Sequence, residues 1–251
     1  MTLGQHLIEL RKRLMIAALA LVVGMIIAFV VTEQVIALLS IPIEIIAQSR
    51  GTEFAKLNFT SITAGFDLRL RISFAIGIII SAPVWMWQIW AFLMPGLTRK
   101  ETRYTIGFMA AAIPLFFGGA VVGWLIMPHI IELMAQFVPE QGALFFDSQY
   151  YYDFIFKLLL VVGISFVLPV FLVALNFAGV VSGMAILKGW RVAVLVAVIF
   201  AALATPAADI FSMLMLAGIL IVLYLAAAGI SLLVDRRRRR REDALLAESG
   251  A

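Results

Sequence analysis

The chain has 251 residues, of which 64% are hydrophobic and 14% charged, with a formal net charge of +4. Soluble domains carry about 45–50% apolar and about 25% charged residues, so a water-soluble fold is excluded and lipid has to solvate most of the surface. The absence of cysteine excludes disulfides, thiolate metal sites and cysteine nucleophiles.

The chain opens with Leu3, Leu7, Leu10 and Leu14 set among His6, Glu9, Arg11, Lys12 and Arg13. On a helix these leucines share one face. Such a helix suits the headgroup plane, with Arg11 and Lys12 toward anionic lipid. Glu9 stands four residues before Arg13, and an exposed pair at that spacing contributes about 0.2–0.5 kcal/mol. The apolar run after Arg13 continues for a full span with no small-residue cleavage site, so the start reads as mature sequence.

A spanning helix needs about 20 mostly apolar residues. Six runs qualify or nearly so: Leu14–Val31, Leu68–Leu93, Tyr104–Met127, Phe154–Ala178, Val192–Ala204 and Ile210–Val234. Backbone groups in lipid must satisfy one another, which makes these runs helices. None alternates at period two, as a barrel strand would. The fifth run is short: about 13 residues at 1.5 Å rise cover about 20 Å of a core about 30 Å thick. It ends at Thr205-Pro206, and either a short span with a thinned bilayer or a re-entrant pair fits it.

Two long loops lie on one side. In Thr32–Asp67 the apolar piece Val35–Ile46, broken by Pro42, predicts short capping helices. Met127–Asp153 holds Pro128, Pro139, Gly142 and the cluster Tyr150, Tyr151 and Tyr152, which suits the lipid interface. Asp153 and Lys157 are spaced to pair. Arg71, with Arg69 and Asp67, marks the start of the second span as an anchor that can snorkel.

Basic residues set the orientation. Arg11–Arg13, then Arg99, Lys100 and Arg103, then Lys188 and Arg191, then Arg236–Arg241 all fall on one side of a six-span arrangement. The positive-inside rule makes that side cytoplasmic, with both termini inside. The expected fold is all-α: a polytopic membrane protein with six transmembrane helices over residues 1–235 and a basic, disordered cytoplasmic tail over 236–251. The tail lacks the aromatic or glycine-rich pattern of a nucleic-acid binder. No internal repeat is visible.

Several strings together resemble one family. His6-Leu-Ile-Glu-Leu-Arg-Lys-Arg-Leu14 is similar to the amino-terminal signature of the TatC family, the largest subunit of the twin-arginine protein translocase. Ser81-Ala82-Pro83, Gln88-Ile89-Trp90-Ala91-Phe92, Pro95-Gly96-Leu97 and Glu101 resemble its second-span exit and first cytoplasmic loop. Thr205-Pro206-Ala207-Ala208-Asp209 resembles its last hairpin, and Pro42 and Pro169 fall where the family places prolines.

The resemblance implies a TatC-like fold in the cell inner (cytoplasmic) membrane. It implies a receptor that binds leader peptides carrying two consecutive arginines at the cytoplasmic face. Folded proteins would then be exported with TatA/TatB-type single-span subunits, driven by the proton-motive force, in a homo-oligomeric complex. It carries the leader-binding role to Glu9, Glu101, Phe92, Arg13 and Pro95, and a role in assembly or transport to Pro42, Arg71, Gln88 and Asp209. The chemistry suits the first set, because a carboxylate accepts the planar fork of arginine in a bidentate way that lysine cannot reproduce. Asp209 is also explained as an acidic helix N-cap. Two departures stand out: Val167 where the family often has glutamate, and Met213 where it has glutamine.

No cofactor, metal or catalytic group is implied. A secondary transporter of a small solute or ion is the alternative, although such proteins often show repeats and mid-membrane charges. An intramembrane enzyme has only Asp209 and His129 to draw on, with no paired catalytic group.

Overall fold

The computed structural model describes the backbone of residues 3–50, 55–58, 62–93, 99–136, 144–177, 179–204 and 210–249. Where described, the apolar runs are helical apart from Val31 and a break at Ser81, as lipid requires of them. In chain order the helices are α1 (Leu3–Val30), α2 (Thr32–Arg50), α3 (Ala64–Ile80), α4 (Ala82–Leu93), α5 (Arg99–Gln136), α6 (Ser148–Phe177), α7 (Gly183–Lys188), α8 (Trp190–Ala204) and α9 (Ile210–Ser249). The all-α expectation needs one amendment. Short strands β1 (Ala55–Asn58) and β2 (Leu144–Asp147) pair in parallel, Ala55 opposite Leu144 through Asn58 opposite Asp147. Their partners lie far apart in sequence, so no local pattern announces them.

Among the described residues, four single helices are long and apolar enough to cross a membrane, or five spans if α3 and α4 count as one broken span. α8, with 15 residues, is shorter. The described helices form two compact units, residues 1–96 with 120–161 and residues 97–119 with 162–251.

In the first unit α1 packs on α3 and α4. Gly24 and Gly77 face each other, and a Cβ built on Gly24 would lie 2.9 Å from the Gly77 carbonyl oxygen. Small residues are what permit two backbones to come this close in lipid, where packing rather than hydrophobic exclusion holds helices together. The fully buried Thr32 hydroxyl donates to the Ala28 carbonyl at 2.9 Å and lies 3.3 Å from Ser73 Oγ.

The expected second span is not one rod. α3 and α4 meet at Ser81 with a bend of 56°. Pro83 has no N–H to give the carbonyl four residues earlier, and its ring crowds that carbonyl. The Ile78 carbonyl at the break accepts the Trp85 indole N–H at 2.9 Å and the Ser81 hydroxyl at 3.3 Å. Side-chain donors of this kind are what make a broken helix tolerable away from water.

Pro42 behaves differently. α2 runs through it without a break, against the expectation of two shorter pieces. A proline removes one rung, but α2 is held by tertiary packing, with Leu39, Pro42, Ile43 and Ile46 all buried. α5 likewise continues past Pro128 to Gln136, into the segment read as loop. α1 absorbs the amino-terminal helix into a single rod, so no separate surface helix forms.

The tyrosine cluster is also corrected. Tyr150 is exposed, but Tyr151 and Tyr152 are buried. Tyr151 donates to the Leu39 carbonyl at 2.6 Å, and Tyr152 Oη lies 3.1 Å from Ser40 Oγ. Each ring finds a polar partner for its hydroxyl inside the protein, which removes the need for a lipid interface. Asp153 is engaged by Arg71 at 3.2 Å rather than by Lys157.

In the second unit α9 packs on α7 and α8. Gly179, at φ 75°, turns the chain after α6, as only glycine does at little cost. Asp235 of α9 joins three segments. It accepts from Asn176 Nδ2 at 2.9 Å and from the Gly183 N–H that opens α7 at 2.7 Å. Asn176 Nδ2 also reaches the Val181 carbonyl at 3.0 Å. Gly183 itself is forced, because a Cβ there would lie 2.6 Å from Leu232 N.

The expected disordered tail is helical instead: α9 continues through the arginine run to Ser249. Arginine is a good helix former, and the run sits on a nucleus already formed by the apolar part of α9, so extension costs little.

Candidate functional site

The first unit builds a polar groove from α1 and α4. α1 turns Leu7 and Leu14 outward, 64% and 59% exposed, and turns Glu9 and Arg13 inward, with side chains 19% and 23% exposed. In a lipid-embedded helix that polarity places the charged face against protein. Gln5, Ile8, Glu9, Lys12, Arg13, Ile16, Trp87 and Gln88 line a groove of ≈ 500 Å³. Four residues after Gln88 on α4, the Phe92 ring stacks on the His6 ring of α1, centroids 4.3 Å apart and 27° off parallel.

The electrostatics are uneven. Arg13 donates to a single oxygen of Glu9, with Nε at 3.1 Å and Nη2 at 2.6 Å from Oε1. Its remaining nitrogen Nη1 leans on Gln88 Oε1 at 3.4 Å. The other carboxylate oxygen, Glu9 Oε2, is buried and accepts no hydrogen bond from any described residue. An unpaired buried acceptor costs roughly 1–3 kcal/mol, and more when it is charged. The groove therefore offers an unmet demand for a hydrogen-bond donor, beside an aromatic wall and the apolar side chains of Ile8 and Ile16.

Of the residues singled out from sequence, Glu9, Arg13 and Gln88 come together here, and Phe92 stands four residues after Gln88 on α4, against His6. Arg71 lies elsewhere, on α3, and donates to Asp67 at 2.8 Å and to Asp153 at 3.2 Å. This ion-pair cluster, with Gln149 donating to Asp67 at 2.9 Å, joins α3 to α6. Pro42 is a packing residue of α2. Glu101 lies in the first turn of α5 and its side chain is outside the described residues, as are Pro95 and Asp209.

Trp87 and Gln5 belong to the groove without having been expected there, and Lys12, expected to face anionic lipid, lines it as well. Gln5, Glu9, Lys12 and Ile16 are spaced 4, 3 and 4 apart, which is the helical face opposite the leucines. Trp87 carries no sequence signal, since tryptophans also stand at 85 and 90.

A further cavity, ≈ 510 Å³ in the second unit, is walled by apolar side chains such as Leu168, Phe171, Val196 and Phe200, with no charged group. No cluster able to hold a metal ion occurs among the described residues.

Long apolar helices and a charged groove define the class as a multi-pass membrane protein. The comparisons specify it. The family model for TatC, the Sec-independent protein translocase protein, matches residues 5–218. A TatC from Xylanimonas cellulosilytica is 41% identical over 236 residues, 94% of this chain and 85% of that protein. A TatC from Rothia mucilaginosa is 36% identical over 237 residues, 94% and 80% respectively. A crystal structure of the twin-arginine translocase receptor TatC in the detergent DDM superposes with TM-score 0.78 at 28% identity, over 90% of this chain and 99% of that one.

This chain belongs to the TatC family. It is a subunit of the twin-arginine, Sec-independent protein translocase, a transport protein and not an enzyme. The solute-transporter alternative is thereby set aside.

Proposed function

We propose that this subunit is the receptor for leader peptides carrying two consecutive arginines, and that the groove of Glu9 is where a leader guanidinium is held. The supporting observation is Glu9 Oε2, a buried carboxylate oxygen with no described donor, on a residue that lines a polar groove. A guanidinium supplies the missing donors with the planar geometry a carboxylate accepts. Phe92, ordered by its stack on His6, provides an apolar edge for the residues following the arginine pair. Glu101 and Pro95 complete the receptor surface in this reading, with Glu101 taking the second guanidinium. Gln88 acts through Arg13, while Arg71, Pro42 and Asp209 serve assembly.

The same reading holds that the chain crosses the cell inner membrane six times with both termini cytoplasmic. α8 then spans a thinned bilayer, and the helical arginine run of α9 anchors at the anionic surface. TatA/TatB-type single-span subunits join further copies of this chain, and the proton-motive force drives export of folded cargo.

The test is binding of a fluorescent twin-arginine leader to the purified full-length chain. Losing a charge-assisted hydrogen bond corresponds to about 1.5–3 kcal/mol, so Glu9→Ala and Glu101→Ala are each expected to weaken binding by roughly tenfold or more. Wild-type affinity in the double variant would refute the assignment.

A further inference from the structure

Resting on that reading, we infer that Arg13 is a resident competitor: an internal guanidinium that occupies the Glu9 carboxylate until a leader arginine displaces it. Three contacts carry the inference. Arg13 Nε and Nη2 both lie on Glu9 Oε1, and Nη1 faces Gln88 Oε1. Together they engage two of the acceptor oxygens that line the groove and leave Glu9 Oε2 with none of the described donors. While Arg13 is in place a leader side chain therefore finds neither oxygen available, because Oε1 is engaged and Oε2, though unpaired, is buried. A two-oxygen grip on Glu9 requires Arg13 to release Oε1.

The geometry is that of a site already holding a stand-in for its ligand. Arg13 has the same guanidinium group that the leader presents. It is tethered four residues from Glu9 on one helix, so its hold is intramolecular and does not depend on concentration. An ion pair serving only to stabilise the helix would give each carboxylate oxygen a partner or leave the free one in water. Here the free oxygen is buried beside a groove. Release of Arg13 is also geometrically available, since its side chain keeps 23% of its surface accessible. Displacement selects for arginine: only a fork matches the two contacts that Arg13 surrenders, whereas a lysine ammonium replaces them with a point charge.

The experiment compares four full-length variants in detergent, reading the dissociation constant of a fluorescent peptide carrying an arginine pair by anisotropy. Arg13→Lys keeps the positive charge beside Glu9 and loses the fork, and it is expected to bind the peptide about threefold more tightly than wild type. Arg13→Gln is expected to exceed that gain. Arg11→Gln removes a like charge from the same helix at an exposed residue that does not line the groove, and is expected to change affinity by less than about twofold. Glu9→Gln reports on the site itself. An Arg13→Lys affinity equal to or weaker than wild type, with Glu9→Gln still impaired, overturns the competitor role and leaves the receptor reading standing. A gain in Arg11→Gln as large as that in Arg13→Gln also overturns it, because general charge relief then accounts for the effect. Wild-type binding by Glu9→Gln removes the receptor reading, and this inference with it. Arg13→Lys decides the matter if Arg13→Gln does not fold.

Discussion

Gly118 and Gly119 are adjacent on α5 and meet opposite fates. A Cβ built on Gly118 has no neighbour within 4 Å, whereas one built on Gly119 lies 2.8 Å from the Val162 carbonyl oxygen and 2.9 Å from Gly163 Cα. Both obstacles are backbone, so they cannot swing aside as a side-chain tip would. Replacing glycine by alanine in a helix gains about 0.5–1 kcal/mol from reduced backbone freedom. That gain is common to the two sites, which share one helix and one membrane depth. It cancels in the difference, which isolates the overpacking cost of about 1–3 kcal/mol. Gly118→Ala is therefore expected to be neutral or stabilised by up to about 1 kcal/mol. Gly119→Ala should fall below it by about 1–3 kcal/mol, because α5 and α6 must part there. Reversible unfolding in mixed micelles, with denaturing detergent as the variable and tryptophan fluorescence as the signal, reads the difference directly. Two variants within about 0.5 kcal/mol of each other would refute the argument, since that is the scale of a substitution that meets nothing.

The Asp235 bracket and the topology give two further predictions. Asp235→Ala leaves the Gly183 N–H and one of the Asn176 Nδ2 bonds without acceptors, and water replaces part of what is lost at this half-buried position. The expected cost is about 1.5–3 kcal/mol in the same unfolding assay, with Asp235→Asn milder because an amide oxygen keeps one bond; no loss in the alanine variant would show that α7 is held in place by packing alone. The chain lacks cysteine, so single cysteines at Thr2 and Ala251 should react with an impermeant maleimide only after the cytoplasmic face is opened; labelling of either from intact spheroplasts contradicts the orientation.

Much of the architecture was legible because hydropathy acts residue by residue. The span starting at Phe154 and the one starting at Ile210 needed no partner to be read. Their boundaries were less legible. α5 runs nine residues past the expected end at Met127, to Gln136, because Pro128 costs one rung in a helix that packing sustains. α9 runs past Val234 because arginines extend a helix once it has formed. At the site, the Glu9–Arg13 spacing was visible and so was the pair. What spacing could not reveal is that Arg13 takes one carboxylate oxygen twice and leaves the other buried. Asn176 was visible only as a polar group in a span, and its partner Asp235 lies 59 residues away.

Composition and the order of charges, taken alone, determined that this is a helical protein dissolved in lipid, with basic residues gathered at alternate turns. Those properties follow from transfer free energies, which each segment carries with it wherever it packs. Tertiary structure decided which face of α1 meets protein, where the α3–α4 rod breaks, which tyrosines leave the interface, and which oxygen of Glu9 stays open. Each of these depends on the donor or obstacle that another segment brings within 3 or 4 Å, and a partner 60 or 110 residues distant leaves no trace in local periodicity.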